Sequence, residues 1–181
     1  MRLIELINDR QSVRRYLDKP VEKDKLDRCL EAASQAPSAC NAQPWRFIVV
    51  DDPSLVKKVA RETWNKIAPF NKFVEQAPMI LVITIEKSPL VPSIGSRIKN
   101  KEYPLIDIGI AAEHFCLQAT EEGLGTCMLG WFNEKKIQKL LNIPRGRSIG
   151  LLISAGYAPD DYKMRKKIRK ALTKVVSYNS Y

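Results

Sequence analysis

The chain has 181 residues, 45% of them hydrophobic and 28% charged, enough apolar material for a sizeable core and incompatible with a disordered polymer. Its formal charge is +10, but the surplus is concentrated. Residues 1–161 carry 23 basic and 20 acidic side chains, and residues 162–181 carry seven basic and no acidic ones, so a uniformly cationic surface is excluded.

In chain order, residues 2–9 predict a short amphipathic helix with Leu3, Ile4, Leu6 and Ile7 on one side. The N-terminus has no uninterrupted apolar run and no small-residue cleavage site, so no secretory signal is expected. Residues 10–16, RQSVRRY, are too polar and too short for a helix of their own. A second helix opens after Pro20, carries Leu26, Cys29, Leu30 and Ala33 as its apolar stripe, and stops at Pro37. A loop over 36–44 leads to a strand over 45–50. Residues 51–54 start a helix that Leu55, Val56, Val59 and Ala60 continue, and residues 69–78 read as irregular or briefly helical.

Residues 79–85, MILVITI, are continuously apolar and β-branched and predict a buried strand. The run is far too short to span a membrane. Residues 87–103 are polar, contain Pro89, Pro92 and Gly95, and predict a mobile excursion. Residues 104–122 are the longest helical pattern, apolar almost all round, and predict a buried central helix ended by Gly123-Leu-Gly125. A short strand or turn follows over 126–131. Asn133 is the expected N-cap of a helix running to Leu141, without a capping-box Glu because Lys136 stands there. Residues 149–155 predict another buried strand, and residues 171–176 a terminal one. Strands and helices alternate without repeat or linker, which predicts one domain of the α+β or α/β class.

Several chemistries are absent from the sequence. There is no GxGxxG after a strand, no GxxxxGK[ST], no HExxH and no GxSxG. Cys29, Cys40, Cys116 and Cys127 form no CxxC pair, and His114 is the only histidine, so a local zinc or iron–sulfur site is not expected. Buried reduced thiols in a cytoplasmic protein are. His114 lies in the buried-helix pattern and reads as a satisfied core residue. Without a hydrolytic signature, any enzymatic reactivity is expected from a cofactor.

Three polar segments remain. The first, residues 10–16, packs three guanidiniums and a hydroxyl together, suited to phosphate oxygens, or else forms a solvated basic loop. The second, residues 37–45, is stiffened by two prolines and offers Ser38, Asn41 and Gln43, which can donate to and accept from the edge of a flat heterocycle, or else do local turn work. The third, residues 163–170, is a basic run, alone a solvated tail or a nonspecific phosphate patch.

Arg10-x-Ser12-x-Arg14, Ala36-Pro-Ser-x-x-Asn-x-Gln-Pro-Trp-Arg-Phe47, Gly123-Leu-Gly-Thr…Gly130 and Lys163-x-Arg165 occur in that order. Together they resemble the nitroreductase-like FMN-dependent oxidoreductases over nearly the whole chain. The resemblance implies an α+β fold, a mostly antiparallel sheet flanked by helices, in an intertwined homodimer with FMN at the interface. It implies that residues 1–181 form a single domain whose stretch from about 160 to 181 is an arm reaching the partner subunit. It implies that Arg10, Gln11 and Ser12 meet the phosphate and ribityl end, with Lys163 and Arg165 completing the anion site. Arg14 would lie near the flavin N1–O2 edge, where positive charge stabilises the anionic reduced flavin. Pro37, Ser38, Asn41 and Gln43 would come from the partner subunit, Leu129 and Gly130 would face flavin N5, and Asn71 the pyrimidine edge.

The implied activity is ping-pong transfer from NADH or NADPH through the flavin to an electron-poor acceptor such as a nitroaromatic or quinone, with no catalytic side chain. Residues 87–103 stand where larger relatives carry a helical insertion, which implies a more open site. Two rivals stay open: a flavin-binding protein of this fold with little reductase activity, and a module binding nucleic acid through the basic tail. The latter leaves residues 37–45 unexplained and lacks aromatics interleaved with the cations. Neither a membrane nor nucleic acid is an expected partner.

Overall fold

The structure is a computed structural model that describes residues 2–86 and 102–181. In chain order its regular elements are α1 (Leu3–Asp9), α2 (Lys23–Ser34), β1 (Trp45–Val50), α3 (Pro53–Arg61), β2 (Met79–Ile85), α4 (Tyr103–Glu121), β3 (Gly125–Leu129), α5 (Glu134–Leu140) and β4 (Ser148–Gly156). Residues 87–101 of the expected polar excursion lie outside the described residues. Tyr103, at its end, already begins α4.

The four strands form one antiparallel sheet in the order β1-β2-β4-β3. Central β2 is apolar at every position except the buried Thr84, because both sheet faces are covered. Met79, Leu81 and Ile83 pack with α2 and α4 through Cys29, Ala112 and Phe115. Ile80 and Val82 pack on the opposite side with Val56 and Val59 of α3 and Ile137 of α5. Continuous apolar runs are the habit of doubly covered parallel strands; here the same physics acts on an antiparallel one. A register shift between Ile83 and Thr84 breaks the β2–β4 ladder locally.

Helix ends follow local chemistry. Asp52 caps α3 by accepting from Leu55 N at 2.8 Å. Asn133 caps α5 by accepting from Lys136 N at 3.3 Å, without a capping box, as expected. Gly123 takes φ +76° just past α4, where Leu124 N donates to Ala119 O (2.8 Å) and Gly123 N to Thr120 O (3.1 Å). That pair of bonds is the left-handed stop that glycine permits. The Arg28 guanidinium then forks onto Glu122 at 2.7 and 2.8 Å, tying α2 to the end of α4.

Three expectations need correction. Helix α4 is not buried all round. Ile108, Ala111, Ala112, Phe115, Cys116 and Ala119 are buried, whereas Leu105 and Ile106 are exposed, because only one side of the helix meets the sheet and α2. Residues 171–176 form no strand but a 3-10 turn over Leu172–Lys174, with no ladder partner among the described residues. Cys40 is exposed, whereas the other three thiols are buried as expected. His114 fits its reading as a satisfied residue: it is half-buried, with Nδ1 3.3 Å from Ala32 O.

Candidate functional site

The free edge of β3 positions the first polar segment. Ser12 bridges Thr126 in parallel, and Val13 N donates to Thr126 O at 2.8 Å. This close approach requires Gly125. A Cβ there would stand 2.6 Å from Val13 Cγ2 and 2.7 Å from Val13 Cβ. Tyr16 fixes the far end of the segment from inside the core. Its hydroxyl donates to Val13 O at 2.9 Å and lies 2.9 Å from Ser154 Oγ. Burial pushes that phenol above its ordinary pKa, so it stays protonated.

The other end of the chain returns to the same edge. The Tyr162 hydroxyl accepts from Arg14 N at 3.0 Å. Arg165 donates to Gln11 Oε1 from its backbone N (3.2 Å) and its Nε (3.4 Å), and from Nη2 to Ser12 O. Lys167 Nζ donates to Ile7 O. The structure thus brings Arg10, Gln11, Ser12, Arg14 and Arg165 together, with exposed Lys163 two residues before Arg165.

Glu113 of α4 pairs with Arg10 at 3.2 Å. Among the described residues no carboxylate pairs with Arg14, Lys163, Arg165 or Lys167. The crowding is felt at Lys167, where burial first, and then repulsion from Arg10 and Arg169, lowers the ammonium pKa. Cys127 lies beneath. Burial raises its thiol pKa, while Arg14 and Arg165 pull the other way. With Glu113 as its one paired carboxylate among the described residues, the cluster has the charge and forked donors that suit an anion.

The second segment sits elsewhere in the chain. Ala39 N donates to both carboxylate oxygens of Asp107 on α4, at 3.3 Å each. Ser38 Oγ accepts from Gln43 N at 2.9 Å, and Gln43 Nε2 donates to Asn41 Oδ1 at 3.2 Å. Cys40, Asn41 and Gln43 hold φ of +52°, +52° and +45°, a strained run that these bonds support. The loop therefore does local turn work while leaving Pro37, Asn41 and Gln43 exposed. Among the described residues no side-chain hydrogen bond or ion pair joins it to the Arg10–Arg14 segment.

Leu129 is buried at the end of β3, and Gly130 beyond it is exposed. Asn71 is buried, and its Nδ2 donates to Thr63 O and Trp131 O at 3.2 Å each. The amide nitrogen is taken up within the chain, so only the oxygen is left for a ligand. Sequence reasoning missed Tyr162 and Lys167 as parts of the first cluster. The basic run contained Lys167 without distinguishing it, and nothing local marks Tyr162.

The family profile named Nitroreductase family matches residues 7–157. The chain belongs to the nitroreductase family. A nitroreductase family protein from Clostridium novyi NT superposes with a TM-score of 0.78 at 34% identity, covering 88% of this chain and 87% of that one. An FMN-dependent nitroreductase from Clostridium difficile R20291 gives 0.80 at 30% identity, covering 99% and 100%. A NADH dehydrogenase from Thermus thermophilus is 28% identical over 179 residues, covering 84% of each chain. The nitroreductase fold and the α+β class are those expected from the sequence, and the cation cluster and the 37–43 loop both fall within or just beyond the family match.

Proposed function

We propose that the protein is an NAD(P)H-dependent, FMN-dependent oxidoreductase that works as a homodimer in the cytoplasm. The observation that supports this most strongly is the convergence of cations from both chain ends on the edge of β3, with one carboxylate among them. FMN phosphate carries close to two negative charges at neutral pH, and forked guanidiniums suit it. Arg10, Gln11, Ser12, Lys163 and Arg165 would hold the phosphate and ribityl end. Arg14 would lie by the N1–O2 edge, and the backbone N–H of Gly130, with Leu129 before it, would face N5. Pro37, Ser38, Asn41 and Gln43 would serve the partner subunit's flavin, which fits their separation from the cluster within one chain. Asn71 would offer its Oδ1 to the pyrimidine edge.

When bound, FMN supplies the chemistry: it takes a hydride from NADH or NADPH and passes the reducing equivalents to an electron-poor acceptor, such as a nitroaromatic or quinone, in a ping-pong cycle. The chain's own residues position the ring and neutralise its phosphate. No side-chain acid or base is assigned a catalytic role. Residues 1–181 are proposed to form one domain whose stretch from about 160 to 181 reaches the partner. Among the described residues no helix is long and apolar enough to cross a membrane.

Purified protein should be yellow and should bleach anaerobically with NADH or NADPH. Colourless protein that takes up no FMN would overturn the reading. Yellow protein that neither nicotinamide bleaches would favour a flavin-binding protein with little reductase activity. Arg10→Ala combined with Arg165→Ala should weaken FMN binding at least a hundredfold, given two lost charge-assisted contacts of about 1.5–3 kcal/mol each. Equilibrium dialysis reads the affinity and sedimentation the dimer. Undiminished affinity would refute the anion-site assignment.

A further inference from the structure

A cavity of about 440 Å³ shares no lining residue with the cluster described above. Its wall carries Arg61, Trp64 and Lys66 on one turn and Trp131, Phe132 and Lys136 on another. The two turns are tied together from within. Asn133 N donates to Glu62 O at 2.7 Å, Lys136 Nζ pairs with Glu62 at 3.2 Å, and Asn71 Nδ2 reaches Thr63 O and Trp131 O. The cavity is therefore preformed and lies within the size range of small-ligand sites.

Its chemistry is specific. The Arg61 guanidinium lies 3.8 Å from the centroid of the Trp64 ring, and Trp64 Nε1 is held by Glu75 Oε1 at 3.0 Å. Stacking fixes the guanidinium plane and leaves its N–H fork available. Among the described residues neither Arg61 nor Lys66 has a carboxylate within ion-pair distance. Two unpaired cations beside indole and phenyl faces suit a ligand that is aromatic at one place and phosphorylated at another. A second cavity of about 640 Å³ shares Arg61 and Glu62 with the first and adds Lys57, Lys58, Glu75 and Leu140; with Glu62 paired to Lys136 and Glu75 bonded to Trp64, Lys57 and Lys58 are the cations it offers a second phosphate. Trp131 directly follows Gly130, so this wall begins where the proposed flavin contact ends.

We propose that this cavity holds the phosphate-bearing adenosine end of the nicotinamide donor, and that Arg61 and Lys66 give the protein a preference for NADPH over NADH. The proposal rests on the oxidoreductase reading above. It names the donor that reading left open.

Calorimetric titration of the FMN-loaded protein with adenosine 2′,5′-bisphosphate tests the site without turnover. Saturable binding is expected, about tenfold tighter than that of 5′-AMP and well beyond that of inorganic phosphate. Arg61→Ala and Lys66→Ala should each weaken bisphosphate binding by about tenfold, the scale of one charge-assisted contact. Arg61→Lys should recover only part of the loss, because it keeps the charge but not the fork. In steady state the double variant should raise KM for NADPH by a larger factor than KM for NADH, because only NADPH carries the additional 2′-phosphate. Bisphosphate affinity no greater than that of inorganic phosphate, or unchanged in both alanine variants, overturns the assignment. Dithionite separates the two levels. A flavin that dithionite reduces but neither nicotinamide does refutes the reductase reading. Reduction by both nicotinamides with equal KM, in wild type and double variant alike, refutes the cavity assignment alone.

Discussion

Gly125 has no side chain, and Val13 occupies the space one would need, with three of its atoms within 2.9 Å of the missing Cβ. All three belong to a short β-branched side chain that cannot swing aside. Gly125→Ala should therefore cost about 1–3 kcal/mol as overpacking and lift the Ser12 segment from β3. Urea unfolding reads the cost. Adding Val13→Ala should restore part of it, and an unshifted midpoint for Gly125→Ala would show that this contact does not hold the segment. The thiols divide as sharply. Burial pushes Cys29 and Cys116 up to about 12 and raises Cys127 as well, whereas Cys40 is exposed. Only thiolates alkylate readily. Iodoacetamide at about pH 8 should thus add one label per native chain, on Cys40, and four in urea, counted by mass spectrometry. A second label on the native chain would mean that the core opens.

At the scale of elements, α2 and α4 are joined by the Arg28–Glu122 fork, and the Glu122 side chain is only 13% exposed. The hydrogen bond from Arg28 holds the Glu122 carboxyl at about 2, against an ordinary 4.5. A lowered pKa means that the stabilisation is fully present above about pH 4.5 and is lost as pH falls toward 2. Glu22 behaves alike, held at about 2 by the Tyr157 hydroxyl 2.5 Å away. Thermal midpoints should fall across that window, and Glu122→Gln should flatten the fall while lowering the midpoint at neutral pH. A parallel pH curve for Glu122→Gln would assign the acid loss to other carboxylates. The elements themselves were largely legible from sequence, because each rests on local periodicity and local caps. The near-continuous apolarity of β2, the helix start over residues 51–54 and the cap at Asn133 are written in consecutive residues. What periodicity misread was α4, whose composition is apolar all round although only one side meets the core. Residues 171–176 were misread for a related reason: β-forming side chains make a strand only where a partner edge exists.

For the whole molecule, the last twenty residues combine seven cations with exposed apolar side chains, among them Ile168 at 87% and Leu172 at 76% exposure. Helix α1 likewise buries no residue, and Leu3 and Ile4 are exposed. Apolar surface collected on an arm and a terminal helix is what a second subunit would cover. A chain ending at residue 161 should therefore fold, with β-sheet circular dichroism intact, but sediment as a monomer and lose FMN together with Lys163 and Arg165. A truncated chain that still dimerises and stays yellow would refute the arm's proposed role. The charge surplus takes its meaning from this geometry. Arg165 and Lys167 are drawn onto residues 7–12, so two of the tail's seven cations sit close to one small site.

The sequence by itself determined the class of fold, the course of most elements, the uneven charge and the family, because these depend on neighbouring residues or on the order of short motifs. It named Arg10, Ser12, Arg14, Lys163 and Arg165 as a set, but only by resemblance. Tertiary structure alone decided that residues some 150 positions apart meet on the edge of β3. It also showed that Gly125 makes the room, that Tyr16 and Tyr162 anchor the approach from either side, and that Asn71 is tied into the chain. It alone revealed the Arg61–Trp64 cavity. The reason is the same in each case: contacts across a sheet edge, or between two distant turns, leave no periodic trace along the chain. They arise only when packing has closed the core and brought the remaining polar groups together at its rim.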